Sequence, residues 1–182
     1  MEYPTTAILE AGLDDVRCSP ADVGRVELIV RRPAVDEREI LAEARLDTSD
    51  GLVGDTWKVR GSKCMPDGSA HPEMQLNIMN ARAARLVAGG DDRRHLAGDQ
   101  LYVDLDISET NLPPGTRLTL GSAVIEVTPQ PHTGCAKFAG RFGKEALRFV
   151  NSDVGKQLRL RGMNAKVVVS GTVRPGDEIR KI

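Results

Sequence analysis

The chain has 182 residues, room for one domain and cramped for two. Its 25 basic and 26 acidic side chains leave a net charge of −1, so no global field selects nucleic acid or a membrane surface. Aromatic residues make up only 3%, too few for a base-stacking surface, and no stretch approaches the ~20 apolar residues of a membrane helix.

Residues 1–23 read as an N-terminal extension with a short helical start. Its first residues, MEYPTTAILEAGLDD, lack the basic and apolar regions of a signal peptide. GRVELIVRR (24–32) reads as a strand with Val26, Leu28 and Val30 on one face, stopped by Pro33. DEREILAEARLD (36–47) reads as a short helix by propensity, although Ala42, Ala44 and Leu46 also alternate. GLVGDTW (51–57) is a tight turn, and residues 58–72 form a long surface loop. MQLNIMN (74–80) reads as a strand feeding the helix NARAARLVAG, which Gly89 and Gly90 stop.

From residue 98 the pattern turns to β. GDQLYVDLDI alternates at Leu101, Val103 and Leu105, and RLTLGSAVIEVT reads as a hairpin around Gly121-Ser122. Helical stretches near 142–150 and 152–159 precede the strand NAKVVVSG, the turn RPGD and the strand EIRKI. Gly-Asp recurs at 54–55, 98–99 and 176–177; glycine supplies a corner and the aspartate can bond the nearby backbone. Short strands between such corners predict a mainly β fold, a barrel or strongly bent sheet with peripheral helices, as one domain over 24–182.

The chemistry gathers at PQPHTGCAKFAGRFGKEALRF (129–149). Three widely spaced cysteines, Cys18, Cys64 and Cys135, are no disulfide framework and point to a reducing cytoplasm. Only Cys135 has a basic neighbourhood: residues 131–166 carry eight Lys/Arg against Glu145 and Asp153. Pro131 and Gly134 put His132 and Cys135 on a loop, and a helix starting after it would lower the thiol's pKa, as would Lys137 and Arg141. Lys137, Arg141, Lys144 and Arg148 recur at helical spacing; the first two are placed to bind an anion, and the last two read as solvated. A buried, inert Cys135 remains the alternative. A zinc site has little support, because His132-x2-Cys135 has no second close pair and Cys64-x6-His71 is a weak spacing.

The order GLVGD (51–55), SETNL (108–112), GTRLTLGSAVIEVT (115–128), PHTGCAKF (131–138), RFG (141–143) and RPGD (174–177) resembles the MOSC domain. This is the C-terminal domain of molybdenum-cofactor sulfurases, which also occurs as small stand-alone bacterial proteins. The resemblance implies a pyruvate-kinase-barrel-like β-barrel and a functional cysteine at Cys135, as sulfur carrier or molybdenum ligand. It implies the molybdenum cofactor as ligand, in some members for the reduction of N-hydroxylated compounds. Asn111 and Asp55 join Arg141 and Lys137 as pocket residues on the same ground, with Trp57 standing where the family's Gly-Asp-x-His pattern has histidine. Pyridoxal phosphate chemistry would come from a partner sulfurase or oxidoreductase. Two other readings stay open: a metal-free thiol enzyme using Cys135 and His132, and a binding module for a phosphorylated ligand or acidic partner.

Overall fold

The computed structural model describes residues 3–182; Met1 and Glu2, the start of the expected extension, lie outside the described residues. Eleven strands are described: β1 (Val23–Arg31), β2 (Glu39–Ile40), β3 (Ala44–Asp47), β4 (Gly51–Leu52), β5 (Leu76–Asn80), β6 (Leu101–Asp104), β7 (Arg117–Leu120), β8 (Ala123–Val127), β9 (Met163–Val169), β10 (Gly171–Val173) and β11 (Glu178–Lys181). Six α-helices accompany them: α1 (Thr6–Ala11), α2 (Leu13–Arg17), α3 (Trp57–Arg60), α4 (Ala81–Ala88), α5 (Ala136–Val150) and α6 (Asp153–Gln157).

Seven strands close a barrel in the order β1-β6-β5-β9-β8-β7-β11, with β11 returning to β1. Closure leaves the barrel no open edge, which removes the template for strand-to-strand aggregation. The neighbours run antiparallel except β5 and β6, which α4 joins as a crossover. A small sheet, β10-β3-β4, sits beside the barrel.

Alternation along the strands divides the apolar residues between two cores. Ile78, Leu101, Val103, Leu118, Ile125 and Ile179 fill the barrel. Met79 and Tyr102, one residue out of phase, face outward and pack with Leu9, Phe138, Phe142 and Phe149 under the helices. Among the described residues, no helix is long and apolar enough to cross a membrane.

Two local expectations are corrected. Residues 36–47 form β2 and β3 rather than a helix, because Ala44 and Leu46 bury their side chains where β3 pairs with β10 and β4. Sheet pairing there overrides the helical propensity of the Glu- and Ala-rich segment. In β1, Val26, Leu28 and Val30 do not share a face. The register slips between Val26 and Leu28, so Val26 and Ile29 point into the barrel and Leu28 and Val30 out of it. The extra residue, Glu27, receives Arg85 and Arg94.

Candidate functional site

One mouth of the barrel gathers the end of β1, the starts of β5 and β6, and the segment from β8 into α5. A cleft of about 620 Å³ opens there, and His132, Cys135, Lys137 and Arg141 all line it. The loop that carries them is clamped at both ends. Asn164 Nδ2 donates to the carbonyls of Gln130 (3.1 Å) and Pro131 (3.3 Å). Asn151 accepts from Gly134 N through Oδ1 (2.9 Å) and donates to Gly134 O through Nδ2 (3.2 Å).

Asn151 is the C-cap of α5, and Cys135 is its N-cap. Both ends of one helix reach one loop because α5 turns sharply at Gly143 (φ 89°, ψ 165°), a left-handed position that glycine tolerates. The turn splits the expected basic stripe. Lys137 and Arg141 face the cleft, and Lys144 and Arg148 are exposed away from it. Phe138 and Phe142, with centroids 4.9 Å apart and planes tilted by 59°, anchor the first half of α5 in the outer core. Cys135 is exposed and extended (φ −126°, ψ 178°), and its side chain makes no capping bond, so the sulfur is free to meet a ligand.

Six basic side chains line the cleft: Arg32, Arg38, Arg60, Lys137, Arg141 and Arg161. Their compensation is uneven. Arg32 is buried in a bidentate pair with Asp55, Nε–Oδ2 2.8 Å and Nη2–Oδ1 2.7 Å, and also donates to Asn77 Oδ1 and Gly98 O. Arg161 Nη1 reaches Asp99 Oδ2 at 2.7 Å, and its guanidinium stacks over Phe138. Lys137 and Arg141 share one carboxylate, Asp36, at 3.1 and 3.0 Å. Arg38 and Arg60 have no carboxylate partner among the described residues, and Arg38 Nε is buried without a hydrogen bond. Burial foremost, then neighbouring cations, lowers the pKa of both. An anion entering the cleft would relieve exactly this imbalance.

His132 is mostly buried, its side chain 13% exposed, with Nδ1 3.4 Å from Asp99 Oδ1. Burial, and then the charges of Arg161 and Arg32, hold its pKa well below the usual histidine value, so the ring is neutral at pH 7.

A model of the MOSC domain matches residues 69–180, well over half of the chain. The chain belongs to the MOSC domain family. Its barrel is similar to that of the YuaD protein from Bacillus subtilis, with a TM-score of 0.65 at 16% identity over 86% of this chain and 94% of that one. YiiM from Escherichia coli matches with a TM-score of 0.56 at 19% identity, covering 87% of this chain and 69% of its own. YiiM from Geobacillus stearothermophilus matches at 0.54 and 13% identity, over 89% and 73%. At these identities the likeness is one of fold. Among curated proteins none matches the chain.

Membership makes this a molybdenum-cofactor-related domain at the level of the family. Within this MOSC domain, the residues picked from sequence part company. Cys135, His132, Lys137 and Arg141 share the cleft. Asp55 lies behind its wall, fully buried against Arg32, and its Oδ1 also accepts from Trp57 N (2.9 Å). Trp57 is buried and bonds His71 O through Nε1 (3.2 Å). Asn111 is not in the cleft: it bonds Ala21 O, Asp106 O and Lys181 Nζ, beyond the far end of β6.

Sequence reasoning missed Arg38, Arg60, Arg161 and Asp99. Asp99 was read as a corner residue, like Asp55 and Asp177. Those two do cap local backbone, at Trp57 N and Arg174 N, whereas the Asp99 carboxylate accepts from Arg161 and from no neighbouring backbone. Gly98, with φ 94°, makes the corner that permits this. No local pattern distinguishes the two uses of Gly-Asp, because the partner is 62 residues away in sequence.

Proposed function

We propose that the cleft receives the molybdenum cofactor, with Cys135 as the protein's thiolate ligand to the metal, serving the reduction of N-hydroxylated compounds. The observation that carries this reading is an exposed cysteine in a cleft of six cations, of which Arg38 and Arg60 lack a carboxylate. Inside a protein, unpaired cations favour an anionic ligand such as the phosphate of a pterin. A thiolate is a soft donor suited to such a metal. Among the described residues no group of three or more His, Cys, Asp or Glu is arranged to hold a metal ion. Cys135 would therefore contribute one ligand to a metal that arrives on its own carrier. The orphaned Nε of Arg38 and the accessible sulfur make the residues present a fit for the cofactor.

When bound, the cofactor supplies the redox chemistry. This chain's residues do the rest. Arg38 and Arg60 hold the anionic end, and Lys137 and Arg141 join them once Asp36 is displaced. His132, neutral at pH 7, offers a hydrogen-bonding group in the same cleft. A sulfur-carrier role would use the same accessible sulfur, loaded by a partner that brings pyridoxal phosphate. A metal-free thiol enzyme is favoured by one observation, a neutral His132 lining the same cleft as the thiol.

Reconstitution with molybdenum cofactor tests the first reading. Wild type is expected to retain molybdenum through gel filtration, and Cys135→Ala to lose most of it and change the metal's absorption spectrum. Equal retention and an identical spectrum in the two proteins would remove the ligand role.

A further inference from the structure

We infer that Asp99 is the positioning residue of His132: its buried carboxylate fixes the ring with the proton on Nδ1 and leaves Nε2 as an acceptor toward solvent-accessible space. This deepens the reading of the cleft above and rests on it, since it says how the histidine that lines the cleft with Cys135 is presented.

Asp99 is fully buried two residues before β6. Its two oxygens have different neighbours. Oδ2 accepts from Arg161 Nη1 at 2.7 Å, a charge-assisted bond that favours the carboxylate against the burial that raises its pKa. Oδ1 and His132 Nδ1 face each other at 3.4 Å, and both are buried without a hydrogen-bond partner as the side chains stand. A buried acceptor and a buried ring nitrogen that each lack any other partner are matched when Nδ1 carries the proton. The contact is not closed to a hydrogen bond, and such contacts commonly tighten when a ligand enters.

Gly162 packs against both groups. Its φ is 111°, and a Cβ there would clash first with Ile78 O at 2.5 Å and would also crowd Asp99 Oδ1 at 3.1 Å and His132 Nδ1 at 3.2 Å. Arg161, the residue before it, is fixed by a second bond to Ala97 O and by Phe138 below. The carboxylate is thus held from behind, and it holds the imidazole in turn. His132 and Arg161 line both the cleft and a second cavity of about 240 Å³, and the His132 side chain is 13% exposed, so with Nδ1 committed to the interior Nε2 is the nitrogen left for those spaces. A histidine whose tautomer is set by a carboxylate presents its free nitrogen in one defined state, as an acceptor for a proton-bearing group.

Two-bond proton–nitrogen NMR correlations of ¹⁵N-labelled protein at pH 7 test this directly, with His132 assigned by loss of its signals in His132→Gln. Wild type is expected to be in the Nδ1–H tautomer, and Asp99→Asn to move to the Nε2–H form or a mixture. An Nε2–H tautomer in wild type would mean that Asp99 does not orient the ring, and would overturn the inference. So would an unchanged Nδ1–H tautomer in an Asp99→Asn protein that melts cooperatively. Should Asp99→Asn not fold, the wild-type spectrum decides alone. Cys135→Ala is expected to leave the tautomer as it is, so this inference and the cofactor reading fail independently.

Discussion

His132 and Arg32 owe their behaviour to partners far away in the chain, and both have measurable consequences. His132 is kept neutral by burial beside Arg161 and Arg32, with Asp99 on its Nδ1 side. Its folded pKa is therefore depressed. Above the unfolded value of about 6.5 both states are neutral and nothing is lost. Below it the unfolded chain takes a proton that the folded ring resists, so stability falls as pH falls toward the folded pKa. Melting curves of wild type and His132→Gln are expected to converge as pH drops from 7.5 to 5. Parallel curves would mean that His132 titrates alike in both states. Arg32 and Asp55 form a buried pair with side chains 6% and 0% exposed. Removing one partner strands a charge, so Asp55→Ala is expected to cost about 3–5 kcal/mol in denaturant unfolding. A loss below 1 kcal/mol would show that the site relaxes or hydrates.

At the scale of elements, the segment between β1 and β2 acts as a strap over the cleft. It carries Asp36, whose backbone sits at φ 63° and whose carboxylate bridges Lys137 and Arg141. Lys137 holds the Asp36 pKa below the usual carboxylate range. The residues chosen from sequence as anion receptors are thus paired with an internal anion, which a phosphate must displace. Asp36→Asn removes that competitor while keeping its size. Isothermal titration with inorganic phosphate is expected to give affinity up to about fivefold tighter than wild type, the scale of an exposed ion pair. Equal or weaker binding would mean that Asp36 does not compete for the site.

The elements also explain which parts were legible in sequence. Strict alternation at Leu101, Val103 and Leu105, and the Gly121 corner between β7 and β8, carry their own local signal and fold as expected. So does α4, capped by Asn80 and ended at Gly89 with φ 70°. The Cys135 loop was readable because Pro131, Gly134 and the following helix are contiguous. The segment 36–47 was not, since its strands exist only through pairing with β10 and β4. The β1 face failed for a similar reason: a bulge at Glu27 is invisible to a period of two.

For the whole molecule, the closed barrel sets the geometry of the site. β6 is entered from the cleft through Gly98 and Asp99, and the chain beyond its other end leads to Asn111, so the two ends cannot share a pocket despite lying close in sequence. A buried polar chain from Asp55 through Arg32, Asn77 and Asn164 to the Gln130 and Pro131 carbonyls ties that mouth to the cysteine loop. Long-range closure thus decides which residues meet Cys135, and sequence spacing identifies only those in its own segment. The central claim is that Cys135 binds molybdenum through its sulfur. X-ray absorption at the molybdenum edge of the reconstituted protein tests it most directly. Wild type is expected to show one more sulfur neighbour than Cys135→Ala, and the same sulfur count in both would contradict the account.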